Sequence, residues 1–236
     1  MKLTTILFDL DGTLLPMDQE EFIKYYFSLL AKKLSPYGYD PKSLFTNIWE
    51  GTAAMVKNNG PCSNEDVFWN QFTQAYGDNV RKDEPIFRDF YENEFSGAKA
   101  ACGFNPKAAE TIRQLKEEGY RIVLATNPIF PAVATENRIR WAGLNTTDFE
   151  LVTTYENSCH CKPNPDYYQD ILNQIGAGSA ECLMVGNDAL EDMAAAKLGI
   201  KVFLLSDCLI NKYDADLSGL PQGSFDQLLA YIHSLT

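Results

Sequence analysis

The sequence predicts an α/β protein: a doubly wound, Rossmann-like parallel sheet carrying a smaller all-α cap. Three observations lead there. Short β-branched apolar runs alternate with longer helix-like stretches, the pattern of parallel strands joined by crossover helices. One long stretch, residues 17–97, breaks the alternation with helical segments and no convincing strand. Polar clusters stand directly after four of the strand-like runs, at the carboxyl edge where open α/β sheets collect ligands.

The first strand is expected over Leu3 to Phe8, an apolar run of a buried strand's length and too short for a signal peptide. Helix-like segments follow near Glu20 to Leu34, Lys42 to Lys57, Glu65 to Ala75 and Glu84 to Phe95. Asp18, with Glu21 three residues on, reads as a capping box for the first of these. Trp49, Phe68, Trp69 and Phe72 let this insert build its own hydrophobic centre, with one or two aromatic residues facing a pocket.

The alternation then resumes. Helices are expected over Pro106 to Glu118, Pro131 to Trp141, Pro165 to Ile175 and Leu190 to Leu198, and strands over Arg121 to Ala125, Phe149 to Thr153, Glu181 to Val185 and Lys201 to Leu205. Asn105 before Pro106 fits an N-cap with a first-turn proline, and Gly119, Gly176 and Gly199 stand where a left-handed residue ends a helix. The chain is thus expected to divide into an α/β core, residues 1–16 and 98–236, and a helical cap, residues 17–97.

Composition narrows the partners. A chain of 236 residues, 45% hydrophobic and 22% charged, can bury a core without disulfides, and its apolar runs are too short to span a membrane. The six cysteines (Cys62, Cys102, Cys159, Cys161, Cys182, Cys208) are scattered, and with no targeting segment they read as reduced thiols of a cytoplasmic, monomeric protein, Cys102 and Cys182 as buried fillers. A formal charge of -12 with no run of Lys and Arg argues against nucleic acid. It leaves room for a small phosphorylated ligand, because a divalent ion, one lysine and helix N-termini make a positive pocket in an acidic protein.

The first strand runs into Asp9-Leu10-Asp11-Gly12-Thr13. In extended backbone residues two apart point the same way, so Asp9 and Asp11 present carboxylates to one side. Their repulsion is resolved by a proton or a cation, which makes a metal or acid-base site the natural reading. Thr126-Asn127-Pro128 ends the second strand with a hydroxyl and free amides suited to a phosphoryl oxygen. Lys162, braced by Pro163 and Pro165, brings an ammonium to the same edge. The fourth strand ends in Gly186-Asn187-Asp188, with Asp192 one helical turn later. Cys159-His160-Cys161 is a poor soft-metal site, since adjacent residues cannot all converge on one ion. A plain loop is the expected role for His160.

The order Asp9-x-Asp11-Gly12-Thr13, Thr126, Lys162, then Gly186 to Asp192 resembles the phosphatases of the haloacid dehalogenase superfamily, with the insert in the place of that family's helical (C1) cap. The resemblance implies a magnesium (Mg2+)-dependent hydrolase of small phosphomonoesters working through an aspartyl-phosphate on Asp9. It gives Asp11 the proton transfers and, through its backbone carbonyl, a share of the metal. Thr126, Asn127 and Lys162 would hold phosphate, and Lys162 would also screen Asp9. Asp188 would complete the metal site, with Asn187 as a neutral alternative. Asp192 would act behind these groups, through water or by hydrogen bonding to Lys162. Family members that cleave carbon–halogen or phosphonate bonds usually lack an acid at the place of Asp11, which favours phosphate esters. A sugar-phosphate mutase and a non-catalytic binding module on the same fold are the alternatives.

Overall fold

The computed structural model describes residues 2–235. Its sheet has six parallel strands: β1 (Thr5–Phe8), β2 (Arg121–Leu124), β3 (Leu151–Val152), β4 (Cys182–Gly186), β5 (Lys201–Leu205) and β6 (Gln222–Gly223), in the order β3-β2-β1-β4-β5-β6. The chain adds strands on one side of β1 and then crosses to the other with β4, so the topological switch lies between β1 and β4. Phe8 is in register with Leu124 on one side and Val185 on the other. The residues following these three strands therefore emerge level at one edge.

Both faces of the sheet are covered, so its strands are nearly continuous apolar runs. Ile6 and Phe8 pack with Ile112 and Leu115 of α5 (Pro106–Glu117), Ile139 of α6 (Ala132–Trp141) and Leu228 and Ile232 of α8 (Phe225–Ser234). Leu7, pointing the other way, packs with Tyr168, Ile171 and Leu172 of α7 (Pro165–Ile175). This is the doubly wound α/β arrangement expected.

Between β1 and β2 the chain forms α1 (Gln19–Leu34), α2 (Pro41–Val56), α3 (Asn64–Tyr76) and α4 (Glu84–Glu92), and then a 3₁₀ run, Glu94–Ala101. Phe72, Phe87, Phe90 and Phe95 are buried at its centre. Its two connections to the sheet run side by side: Met17 pairs antiparallel with Cys102, and Gly103 N donates to Pro16 O at 2.7 Å.

Several expectations needed correction. β6 and α8 were not anticipated, so the sheet has six strands rather than five. The third strand is only two residues long and follows a 3₁₀ turn, Thr146–Asp148, in which Asp148 Oδ2 accepts the amide of Asn145. The fourth insert helix stops at Glu92, where Asn93 Nδ2 takes the carbonyl of Asp89. No α-helix spans Leu190 to Leu198. Asp188 Oδ1 accepts the amides of Leu190 and Glu191, and Asp192 Oδ2 accepts that of Asp188, so side chains satisfy donors that a helix would use; only a 3₁₀ run, Met193–Leu198, follows. Asp18 caps α1 through the amides of Glu20 and Glu21, but Glu21 turns to Lys24 instead of closing a box. Cys102 is half-buried, whereas Cys182 is fully buried.

Candidate active site

Asp9 follows β1 directly and is held from both sides of the switch point. Its amide donates to Val185 O at 2.9 Å, and Ala125 N donates to Phe8 O at 2.7 Å. Lys162, at the foot of α7, is 1% exposed, and its Nζ lies 2.8 Å from Asp9 Oδ1 and 2.6 Å from Asp192 Oδ1. Thr13 Oγ1 bridges Asp9 Oδ2 at 3.2 Å and Asn187 Oδ1 at 2.9 Å. Gly12 makes this closeness possible: its φ is +85°, and a Cβ there would stand 2.3 Å from Asn187 Nδ2.

The loop after β2 is held from below. The carbonyl of Thr126 accepts from Thr153 Oγ1 at 2.7 Å and from Tyr167 OH at 2.8 Å. Asn127 spends its side chain on neighbours, donating to Glu191 Oε2 at 3.0 Å and accepting the amide of Lys162 at 3.3 Å. Asn187 is similarly occupied, with Oδ1 taken by Thr13 and Nδ2 donated to Cys208 O at 2.7 Å. Asp188 uses one oxygen for its own turn. Its second oxygen takes no hydrogen bond among the described residues.

Asp11 is paired with Arg138, a residue the sequence reading passed over. Arg138 Nη1 donates to Asp11 Oδ2, Nη2 donates to Thr135 Oγ1 at 3.2 Å, and the guanidinium lies 4.5 Å above the Phe130 ring. Asp11 Oδ1 is buried with no hydrogen-bond partner. A signal for Arg138 was available. It stands four residues after Ala134 on the apolar stripe of α6, where a charge must find a partner.

Electrostatically the site is short of positive charge. Burial pushes Asp9 up to about 7 against the pull of Lys162, with Asp192 and Asp11 adding repulsion. Burial also raises Asp11, opposed by Arg138 and Lys162. Glu191 is pushed up to about 7, again chiefly by burial. Lys162 is disfavoured as an ammonium by burial, yet Asp192 and Asp9 hold it well above its usual value, so it stays charged.

Asp9, Asp11, Thr126, Asn127, Asn187, Asp188 and Asp192 all line one cavity of about 790 Å³, roofed by the helical insert. Lys162 is not among its lining residues and lies beneath the floor, tied to Asp9 and Asp192. His160 does not line the cavity either; its Nδ1 meets Asp170 Oδ2 at 2.7 Å, and buried Cys161 accepts from Asn64 Nδ2.

The donor set fits a hard divalent cation. The side chains offered are oxygen only, carboxylates outnumber cations, and Asp11 Oδ1 and the second oxygen of Asp188 are unspent. Among the described residues no three His, Cys, Asp or Glu side chains are grouped as a ready cage. Two carboxylates and a backbone carbonyl would leave the remaining positions to water and substrate, the usual state of magnesium.

A family model of haloacid dehalogenase-like hydrolases matches residues 3–199. The pyrophosphatase PpaX of Bacillus mycoides (strain KBAB4) is 26% identical over 212 residues, 87% of this chain and 85% of that protein. Among solved structures, 2-haloacid dehalogenase from Pseudomonas syringae pv. Tomato DC3000 superposes with a TM-score of 0.65 at 18% identity, covering 99% of this chain and 100% of its own. CbbY from Rhodobacter sphaeroides in complex with phosphate gives 0.60 at 18% identity, covering 98% and 100%. At such identities the structural likeness speaks for the fold.

Proposed function

Because the chain belongs to the haloacid dehalogenase-like hydrolase family, we propose that it is a magnesium-dependent phosphatase that releases the alcohol of a small phosphorylated metabolite. The observation that carries this reading is the buried Asp9, tied to Lys162 at the floor of a cavity that Asp11 and Thr126 also line.

In the proposed reaction an Asp9 carboxylate oxygen attacks phosphorus, forming an Oδ–P bond as the P–O bond to the alcohol breaks. Asp11 gives the departing oxygen its proton: burial raises that carboxyl against the pull of Arg138 and Lys162, and release of the proton leaves the carboxylate that Arg138 pairs with. Water then attacks the aspartyl-phosphate, its proton passes to Asp11, and Asp9 and phosphate are released. Lys162 offsets the charge of Asp9 so that an anionic substrate can approach. Asp192 holds that lysine and, through the Asp188 amide, the loop beside it. The Thr126 hydroxyl and the amides following it would hold the phosphoryl oxygens.

Asp9, the Asp11 carbonyl and Asp188 would hold the magnesium ion; Asn187, with both ends of its amide engaged, supports the loop instead. When bound, the ion supplies charge neutralisation and an in-line template. Residues 17–97 act as a cap that keeps bulk water from the cavity. An acid at position 11 favours phosphate esters over carbon–halogen bonds. No described helix is long and apolar enough to cross a membrane, and the proposed setting is a monomer in the cytoplasm.

The test is a screen of phosphorylated compounds with magnesium, run beside Asp9→Asn. Turnover that depends on both magnesium and Asp9 supports the reading. Equal rates for the two proteins reject it.

A further inference from the structure

Beyond the reactive edge, the cavity of about 790 Å³ extends to the insert helices, where six aromatic side chains line it: Phe22, Phe27, Trp49, Phe68, Trp69 and Phe87. That volume is of the size that encloses a whole small molecule, far more than a phosphoryl group needs. Three of the hydroxyls on this wall are already engaged. Tyr26 OH and Tyr91 OH are 2.8 Å apart, and Thr52 donates to Ile48 O at 2.9 Å. Against these rings a leaving group rich in hydroxyls would lose its water without gaining a hydrogen bond, which is costly; the charged acceptors of the cavity are carboxylates.

Charge narrows the choice further. The cations lining the cavity, Arg88 and Lys212, are both exposed. Glu65, Glu84 and Glu136 line it half-buried. Glu65 is raised by burial and by the nearby Glu156 and Glu84, the mark of a wall with excess negative charge. A second anionic group on the substrate would meet carboxylates with no buried cation to receive it.

We propose that the substrate is a phosphomonoester of an apolar, aromatic alcohol with no second anionic group. This inference rests on the phosphatase reading and adds to it the identity of the leaving group. It separates the chain from the pyrophosphatases it is similar to, and from a sugar-phosphate mutase.

The test compares kcat/KM of the magnesium-loaded protein for 2-phenylethyl phosphate, 2-phosphoglycolate, glucose 6-phosphate and pyrophosphate. The alcohol of 2-phenylethyl phosphate is about as poor a leaving group as a sugar hydroxyl, so a preference over glucose 6-phosphate reports binding rather than activated chemistry. The expected result is a preference of at least about tenfold for the aromatic ester over each of the others, because burial of even one methylene separates substrates by about 10-fold or more. Trp49→Ala, a change at a half-exposed ring of low folding risk, should raise KM for the aromatic ester several-fold more than it lowers kcat. Equal or greater kcat/KM for phosphoglycolate, the sugar phosphate or pyrophosphate would overturn the inference and leave the phosphatase reading intact. Folded protein that hydrolyses none of the four esters and anhydrides would overturn both.

Discussion

Arg138, 1% exposed on α6, is ion-paired with Asp11 Oδ2 while Asp11 Oδ1 has no partner. A guanidinium buried this deeply needs its carboxylate, and the stack on Phe130 and the bond to Thr135 hold it rigidly in place. Removing one member of a buried pair leaves the other uncompensated, at a cost of about 3–5 kcal/mol.

Arg138→Met should therefore destabilise the protein by about 3 kcal/mol in urea unfolding. Adding Asp11→Asn to it should restore part of the loss, since the stranded charge is then gone. A loss below about 1 kcal/mol for the single variant would mean the pair is solvated and contributes little.

Gly186→Ala tests the packing beneath the reactive aspartate. A Cβ at this position would lie 2.0 Å from Asp192 Oδ2 and 2.5 Å from Asp192 Cβ, so the whole Asp192 side chain must move. With it go the bonds to Lys162 and to the Asp188 amide. Turnover should fall about 100-fold or more, and stability by about 1–3 kcal/mol. Wild-type kinetics in this variant would show that Asp192 is not needed where it stands.

The pH dependence of stability follows from the raised carboxyls. Asp9 and Glu191 titrate near 7 in the folded chain, against ordinary values of 3.8 and 4.5. Between those limits the folded state binds more protons than the unfolded state, so stability falls as pH rises through about 7. Surface carboxylates held low by partners, such as Asp148 and Glu150, act with the opposite sign but below their ordinary values, outside this window. With chelator present, the urea midpoint should be higher near pH 5 than near pH 8, and Asp9→Asn should flatten the slope. A midpoint that rises across this range would contradict the assignment.

Asp188 and Asn187 separate by their free valences. Asp188→Asn should raise the magnesium concentration for half-maximal activity at least about tenfold, equivalent to about 1.4 kcal/mol. Asn187→Ala should act mainly on stability, by releasing Thr13 and the Cys208 carbonyl. Magnesium titrations that rank the two the other way would move the ligand role to Asn187.

Much of this was legible in the residues. β1, β2, β4 and β5 announce themselves as apolar runs; Asp9 follows β1 directly and Thr126 and Asp188 stand two residues past the ends of β2 and β4, which the register sets level, whereas Lys162 stands ten residues past β3, just ahead of α7. What escaped depends on side chains competing with backbone. The turn from Asp188 to Asp192 looks helical by pattern, yet its amides are taken by two carboxylates. α8 carried a readable sign, Ser224 with Gln227 in a capping box ahead of Leu228 and Ile232, but follows a two-residue strand with no periodicity of its own. Arg138 escaped because its partner is 127 residues distant, a pairing that only the fold creates.

Whether Asp9 carries the phosphoryl group is read by acid quench of a single turnover followed by mass spectrometry of the peptide containing residue 9. A phosphorylated Asp9 peptide is expected in the wild-type protein with magnesium, and none in Asp9→Asn. Product formation by the wild type with no phosphorylated peptide at any quench time, or hydrolysis by Asp9→Asn at the wild-type rate, would contradict it.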